Sequence, residues 1–341
     1  MYEVILFQKE DFKGIHQHVF AEEFGNPCQK YFLGNPNLKR STVKETNMND
    51  IISSVIIISG IWNFYKNVLY DEDNDYITLT PGIYRSVDDI GKDKNIKNNT
   101  ISSVRLAPED KWDKDSIGNI VAPDPLTAYE IILFKHKNFQ GYHHHIFSNT
   151  FGVGIKYLKG TKMNNEASSV VVKSGKWFLY RDAKYQGVSS NLLTPGRYMN
   201  IEDNCNIVND TVSSVALATE DKWDHEEDGS IKDPDPLTVD EIILFYDINF
   251  QGDHYHIFGE ESGNDYLTGG PSLSVDTVLE IGTSSVIIKS GKWSFYRKKF
   301  YADIFGGEGY ALEPGMYPII ENHEILDKNV FSVERVQKSS N

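Results

Sequence analysis

The sequence predicts an all-β protein of three tandem sandwich domains, and three recurrences carry that reading. An opening segment, Glu130-Ile131-Ile132-Leu133-Phe134, returns as Glu241-Ile242-Ile243-Leu244-Phe245 and more weakly as Glu3-Val4-Ile5-Leu6-Phe7. A Ser-Ser-Val step leads into β-branched residues at Ser53-Ser54-Val55-Ile56-Ile57, Ser168-Ser169-Val170-Val171-Val172 and Ser284-Ser285-Val286-Ile287-Ile288, each strand running to a Ser-Gly turn. A Pro-Gly-x-Tyr turn follows at Pro81-Gly82-Ile83-Tyr84, Pro195-Gly196-Arg197-Tyr198 and Pro314-Gly315-Met316-Tyr317, with the tyrosine placed to pack at a sheet corner. Short strands with such regular punctuation read as sandwiches.

Each opening strand is followed by an aromatic, four residues, an aromatic, one residue and a glycine: Phe7/Phe12/Gly14, Phe134/Phe139/Gly141 and Phe245/Phe250/Gly252. A glycine fixed after an aromatic predicts a positive φ at the glycine and a ring folded back over a tight β-hairpin. The second half of each repeat carries a related hairpin, clearest at Tyr180/Tyr185/Gly187. It is weaker at Tyr65/Tyr70 and Tyr296/Tyr301, where Glu72 and Asp303 replace the glycine. Each repeat is therefore a doublet.

Two similar acidic segments separate the repeats. Glu109-Asp110-Lys111-Trp112-Asp113 leads to Pro123-Asp124-Pro125-Leu126-Thr127, and Glu220-Asp221-Lys222-Trp223-Asp224 leads to Pro234-Asp235-Pro236-Leu237-Thr238. Pro-Asp-Pro stiffens a connection, and one tryptophan in each linker is expected to dock on a neighbouring domain. The expected division is domains at 1–108, 129–219 and 240–338 with linkers at 109–128 and 220–239. Gly14 to Ser53 spans 39 positions where Gly141 to Ser168 spans 27, so the first domain carries an inserted loop at about 26–46.

Composition bounds the function. A chain of 341 residues suits two or three domains, and 40% hydrophobic residues without an apolar run near the 18 that span a bilayer read as a soluble globular protein. Lys plus Arg number 34 against 49 Asp plus Glu, a net charge of -15 that repels phosphate backbones and anionic lipid; nucleic acid and membrane insertion are excluded as expectations. Cys28 and Cys205 lie in different repeats without CxxC spacing and read as free thiols. The first residues run straight into a strand pattern without the basic and apolar regions of a signal peptide, so a cytoplasmic product is expected.

Four times, two amide or carboxylate residues precede two residues and a serine pair. These hexapeptides are Asn49-Asp50-Ile51-Ile52-Ser53-Ser54, Asn98-Asn99-Thr100-Ile101-Ser102-Ser103, Asn164-Asn165-Glu166-Ala167-Ser168-Ser169 and Asn209-Asp210-Thr211-Val212-Ser213-Ser214. Calcium takes six to eight oxygen ligands, which Asn and Asp side chains, serine hydroxyls and turn carbonyls supply. The same residue types also make Asx and ST turns before a strand.

With the aromatic-x4-aromatic-x-Gly hairpin and the Asn/Asp-Asn/Asp-x-x-Ser/Thr-Ser hexapeptide both present, the chain resembles the βγ-crystallin superfamily, in its calcium-binding, microbial or non-lens form, across nearly its whole length. The resemblance implies that each domain is a sandwich of two Greek key motifs, with two calcium sites where the motif loops cross. A site then takes the carbonyl after the hairpin aromatic, the carbonyl of the third motif residue, the hydroxyl of the fifth, and an Asn or Asp side chain from the partner motif. Carried onto the first domain, this gives Gln8, Ile51, Ser53 and Asn99 at one site and Lys66, Thr100, Ser102 and Asp50 at the other. In the second domain it gives Lys135, Glu166, Ser168 and Asp210, then Arg181, Thr211, Ser213 and Asn165. The third domain departs from the pattern: Glu280-Ile281-Gly282-Thr283-Ser284-Ser285 lacks the tandem pair, and Phe331 stands where Asp327-Lys328-Asn329-Val330-Phe331-Ser332 needs a hydroxyl. No paired sites are expected there.

A second recurrence is His-x-His, at His16/His18, His143/His145 and His254/His256. Residues two apart on a strand share a face, so each pair has the spacing of a transition-metal chelate, yet no third ligand is apparent. Each pair shares its face with Phe20, Phe147 or Phe258, and hydrogen-bonded structural histidines are the expectation. Asp71-Glu72-Asp73-Asn74-Asp75 begins like an EF-hand loop, but Tyr76 occupies the glycine position and Gly82 the position of the bidentate glutamate, leaving a solvated loop. The chain contains no GxSxG elbow, HExxH or P-loop motif, so no enzymatic activity is expected. The reading is a non-enzymatic calcium-binding structural or stress-associated protein stabilised by the ion. The alternative is a calcium-dependent interaction module in adhesion, carbohydrate binding or toxin association, meeting a protein or glycan partner through the third domain and the linker tryptophans.

Overall fold

A computed structural model describes residues 1–22, 34–38, 48–70, 76–90, 96–259, 283–296, 310–323 and 332–336. Within them regular structure is nearly all strand, and the α-helical turns Val87–Ile90 and Ile201–Cys205 are short. Among the described residues no helix is long and apolar enough to cross a membrane. The inserted loop at about 26–46 falls mostly outside them, as do Cys28, Asp71 to Asp75, Tyr301, Asp303, Glu280 to Gly282 and Asp327 to Phe331.

In the first repeat one sheet runs Lys13–Ala21, Tyr2–Lys9, Ser54–Ile57, Gly82–Tyr84, and a second runs Gly34–Asn35, Ser103–Leu106, Trp62–Tyr65, Tyr76–Leu79. The second repeat has the same order: Gln140–Ser148, Tyr129–His136, Ser169–Val172, Gly196–Tyr198, then Gly154–Ile155, Ser214–Leu217, Trp177–Asp182, Gln186–Ser189. The fourth strand of each motif returns beside the first, as a Greek key requires. The third strand of each motif leaves for the other motif's sheet. Gly34–Asn35 pairs with Ser103–Leu106 and Gly82–Tyr84 with Ser54–Ile57; Gly154–Ile155 and Gly196–Tyr198 do the same in the second repeat. This exchange brings the loops of the two motifs together. The third repeat keeps the first sheet order, Gln251–Gly259, Asp240–Asp247, Ser285–Ile288, Gly315–Tyr317, and a three-stranded sheet of Tyr310–Leu312, Trp293–Tyr296 and Ser332–Arg335.

The chain forms two compact units. One comprises Met1–Leu126, Phe245–His254 and Gly315–Ile319; the other comprises Thr127–Leu244, Tyr255–Pro314 and Ile320–Asn341. Strand periodicity builds the core of each. In the second repeat Ile131, Leu133, Val170 and Val172 point into the sandwich beside Trp177, Val215 and Leu217. The alternate residues Ile132, Phe134 and Val171 are also buried, against Phe258 with Phe139, Leu237 and Val239 beside them. A strand buried on both faces reads as an unbroken apolar run, which is why Ile131 to Phe134 does not alternate with polar residues. Trp62, Trp177 and Trp293 are fully buried, and each indole N–H donates to a turn carbonyl three residues earlier, on Ser59, Ser174 or Ser290. Tyr84 and Tyr198 hydroxyls donate to the carbonyls of Thr80 and Thr194, both at 2.8 Å, fixing the corner after each Pro-Gly turn.

The segments expected as linkers have structure of their own. Each holds a 3-10 turn, Glu109–Lys111 or Glu220–Lys222, and a two-stranded ribbon, Asp113–Lys114 with Ile120–Val121 or Asp224–His225 with Ile231–Lys232. Trp112 and Trp223 dock on the repeat that precedes them. Trp112 lies against Tyr2 and donates to the Ala107 carbonyl; Trp223 lies between Tyr129 and Phe151 and donates to Ala218. With exposures of 5% and 4% these indoles are docked core residues, as expected, which removes them from the contact surface that the alternative reading gave them. Cys205 is a buried free thiol, pushed up to about 12 by burial.

Candidate metal centre

The site is built on the hairpin that follows each first strand. After Tyr129–His136 the chain takes three left-handed steps, Asn138 at φ 60°, Phe139 at φ 61° and Gly141 at φ 77°. They fold the Phe139 ring back to 5.7 Å from that of Phe134. A Cβ at Gly141 would also meet the His136 ring at 2.5 Å. The sequence located the positive φ at the glycine, but the aromatic and its predecessor share it, and positive φ costs about 1–2 kcal/mol for residues with a Cβ.

The second serine of each hexapeptide pins this turn. Ser169 Oγ accepts from the Phe139 N–H at 2.9 Å and donates to the His136 carbonyl at 2.6 Å. Ser54 does the same with Phe12 and Lys9, Ser103 with Tyr70 and Asn67, and Ser214 with Tyr185 and Asp182. All four are fully buried. The sequence reading gave this serine no role. Ser169→Ala leaves a buried N–H and carbonyl unsatisfied and is expected to cost about 2 kcal/mol in a urea melt without changing the number of ions bound. A neutral outcome would remove the turn-pinning role.

The first serine faces the other way, into the crossing of the two motif loops. Ser168 donates its N–H to Phe134, and its Oγ lies 3.2 Å from Asp210 Oδ1 in the other motif. Ser213 donates its N–H to Tyr180, and its Oγ lies 2.8 Å from Asn165 Oδ1. The first repeat matches: Ser53 Oγ is 2.7 Å from the Gln8 carbonyl and 3.3 Å from Asn99 Oδ1, and Ser102 Oγ is 2.8 Å from Asp50 Oδ1. Asp50, Asn99, Asn165 and Asp210 have φ between 55° and 61°, a conformation that Asn and Asp tolerate best among residues with a Cβ. Their N–H groups cross to the partner loop: Asp50 to Ile101, Asn99 to Ile52, Asn165 to Val212 and Asp210 to Ala167.

Each pairing therefore joins the hydroxyl and the Asn or Asp side chain that the resemblance assigned to one site. Lys66, Lys135 and Arg181 occupy the place of Gln8, directly after the aromatic whose carbonyl takes the serine N–H. Ile51, Thr100, Glu166 and Thr211 lie between the left-handed residue and the serine step. The Thr100 and Thr211 hydroxyls donate back to Lys97 and Val208, and the Glu166 carboxylate pairs with Lys135 Nζ at 3.3 Å. These side chains are engaged locally, so an ion at the crossing would draw on their main-chain carbonyls. Asn98 Oδ1 and Asn209 Oδ1, equivalent in the two repeats, are buried without a hydrogen-bond partner. A hydroxyl paired with a carboxylate or amide oxygen, joined at Ser53 by the Gln8 carbonyl, offers the kind of oxygen donors that a hard cation takes. In each repeat one pairing carries a carboxylate, Asp50 or Asp210, and the other an amide, Asn99 or Asn165.

In the third repeat Thr283, Ser284 and Ser285 are buried, while the tandem positions lie outside the described residues.

Residues 130–217 match the family model described as Beta/Gamma crystallin. Among solved structures, a beta gamma crystallin from Ciona intestinalis is 33% identical, over 26% of this chain and 98% of its own, with a TM-score of 0.23. A betagamma-crystallin from an Archaea is 27% identical over 31% of this chain and 98% of its own, with a TM-score of 0.22. Protein S complexed with calcium is 18% identical over 64% of this chain and 100% of its own, with a TM-score of 0.28. No curated protein matches the chain.

Proposed function

Since the chain belongs to the βγ-crystallin family, we propose that it is a calcium-binding structural protein whose first two repeats each hold two ions at the crossing of their Greek key loops. The reciprocal pairing supports this reading: Ser53 with Asn99, Ser102 with Asp50, Ser168 with Asp210 and Ser213 with Asn165. Two of the loops also close local ST-type bonds, Thr100 to Lys97 and Thr211 to Val208, but a turn that only started a strand has no need of the further oxygen that each loop offers to the other. A bound ion would supply a bridge between the two motifs, with water completing its shell. The functional division is into domains at 1–108, 129–219 and 240–338, the third without paired sites.

Calcium titration of the full chain by calorimetry is expected to find about four ions, with dissociation constants on the order of 10⁻⁶ to 10⁻⁴ M because few protein oxygens serve each site. The Asp50 and Asp210 sites fill first, since a carboxylate adds a charge that an amide lacks. Asn165→Asp should narrow the difference in the second repeat. Absence of calcium binding, or binding that survives loss of the serine hydroxyls at 53, 102, 168 and 213, would remove the proposal.

A further inference from the structure

We propose that His143, His145 and His256 form a binding site for a divalent transition-metal ion of the zinc class, separate from the calcium loops. The three side chains belong to one compact unit, and each is at most 3% exposed. Their ring centroids lie 4.7 Å (His143–His256), 4.9 Å (His145–His256) and 5.2 Å (His143–His145) apart. Zinc–nitrogen bonds of about 2.0–2.1 Å in tetrahedral array put imidazole centroids roughly 5 Å from one another, so the rings already stand at ligand spacing. Interplanar angles of 65°, 60° and 76° exclude face-to-face stacking among the three rings. Ligand nitrogens of His143 and His145 come within 4.8 Å of each other, and so, taken as a separate pair, do ligand nitrogens of His143 and His256.

Two carboxylates orient the rings. His145 Nδ1 is 2.6 Å from Glu130 Oε1, and His256 Nδ1 is 2.7 Å from Glu241 Oε1. A carboxylate accepts, so Nδ1 carries the proton and Nε2 keeps the lone pair that a metal takes; this carboxylate–histidine arrangement is the usual outer support of metal-bound imidazole. Phenyl rings cover the cluster: Phe134 stacks on His143, Phe147 on His145 and Phe258 on His256. Imidazole donors without thiolate select zinc, copper or nickel over calcium, which takes oxygen. The other unit repeats the pattern by itself, with His16, His18 and His254 centroids 4.9–5.5 Å apart and His18 Nδ1 2.7 Å from Glu3.

The test uses the full chain without an affinity tag, in saturating calcium so that the oxygen loops are occupied. Zinc is supplied both during expression and during refolding from urea, so that slow access to a buried site does not mask binding. Bound metal is counted by mass spectrometry after dialysis, and X-ray absorption at the zinc edge reads its ligands. Retained zinc with an imidazole-rich shell is expected, falling by about one equivalent in His143→Gln or His256→Gln and unchanged in the exposed-site control His225→Gln. Glu130→Gln, which keeps an acceptor for Nδ1, should bind 10–100-fold more weakly. No retained zinc, an all-oxygen shell, or zinc content unchanged by folded histidine variants overturns the assignment; the absorption shell of the unaltered protein decides the matter if a variant fails to fold.

Discussion

The double variant Asp210→Ala/Ser213→Arg is expected to lose nearly all calcium-induced stabilisation of the second repeat while still folding in chelator, from a lower baseline because alanine at φ 56° is strained. Asp210 pairs with Ser168 and Ser213 with Asn165, so each substitution strikes a different crossing of the same two loops. Removing the carboxylate deletes a donor; the arginine brings a cation and a bulky side chain to a ligand position. An ion that binds the native crossing and not the unfolded chain contributes roughly 2.7 kcal/mol per site at about 100 times its dissociation constant, and two sites roughly double that. The effect is read as the rise in melting temperature between chelator and millimolar calcium. The single variants should each keep part of it. Full retention in the double variant would mean that the hexapeptides are turns and no more.

Lys173→Met should destabilise the protein by about 3 kcal/mol in urea at neutral pH, whereas Glu241→Gln should cost far less. Glu241 is 4% exposed, with Lys173 Nζ at 2.9 Å, Lys289 Nζ at 3.6 Å and His256 Nδ1 at 2.7 Å. Burial alone would raise this carboxyl, but the two lysines, with the His256 hydrogen bond, outweigh it and hold Glu241 well below the usual carboxylate range. Taking away Lys173 leaves a buried charge with weaker compensation, a change in the class that costs 3–5 kcal/mol; the remaining lysine places it at the lower end. Taking away the carboxylate leaves two lysines whose side chains are 21% and 32% exposed and reach water. In the double variant the lysine substitution should add little to the glutamate one, which a double-mutant cycle measures. Equal costs for the two single variants would refute the asymmetry.

Much of this architecture was legible because its signals are local. The Ser-Ser-Val strands, the Pro-Gly-x-Tyr corners and the aromatic hairpins all rest on residues within a few positions of one another, where backbone period and turn chemistry operate. The pairing of Ser168 with Asp210 was accessible through the family resemblance, because the doublet gives the two motifs equivalent positions. Other features depend on neighbours distant in sequence. The positive φ at Phe139 is held by Ser169, thirty residues away, so nothing beside the aromatic announces it. Trp112 reads as a linker residue until Tyr2, at the other end of the repeat, receives its indole. His256 completes a group with His143 and His145 only once the strand bearing it is placed, so the His-x-His spacing gave two ligands and no third.

The exchange of third strands also makes each crossing a crosslink in the topological sense. The Ser–Asn and Ser–Asp pairings join positions 42 to 52 residues apart, closing the chain twice in each repeat. A disulfide closing a span of about 50 residues would remove roughly 4 kcal/mol of entropy from the unfolded chain and would persist there. A tie made by an ion differs in kind, because it exists only while both loops are in place and dissolves with them. Resistance to pulling and to proteolytic nicking would then follow free calcium, where a crosslinked secreted domain follows redox potential.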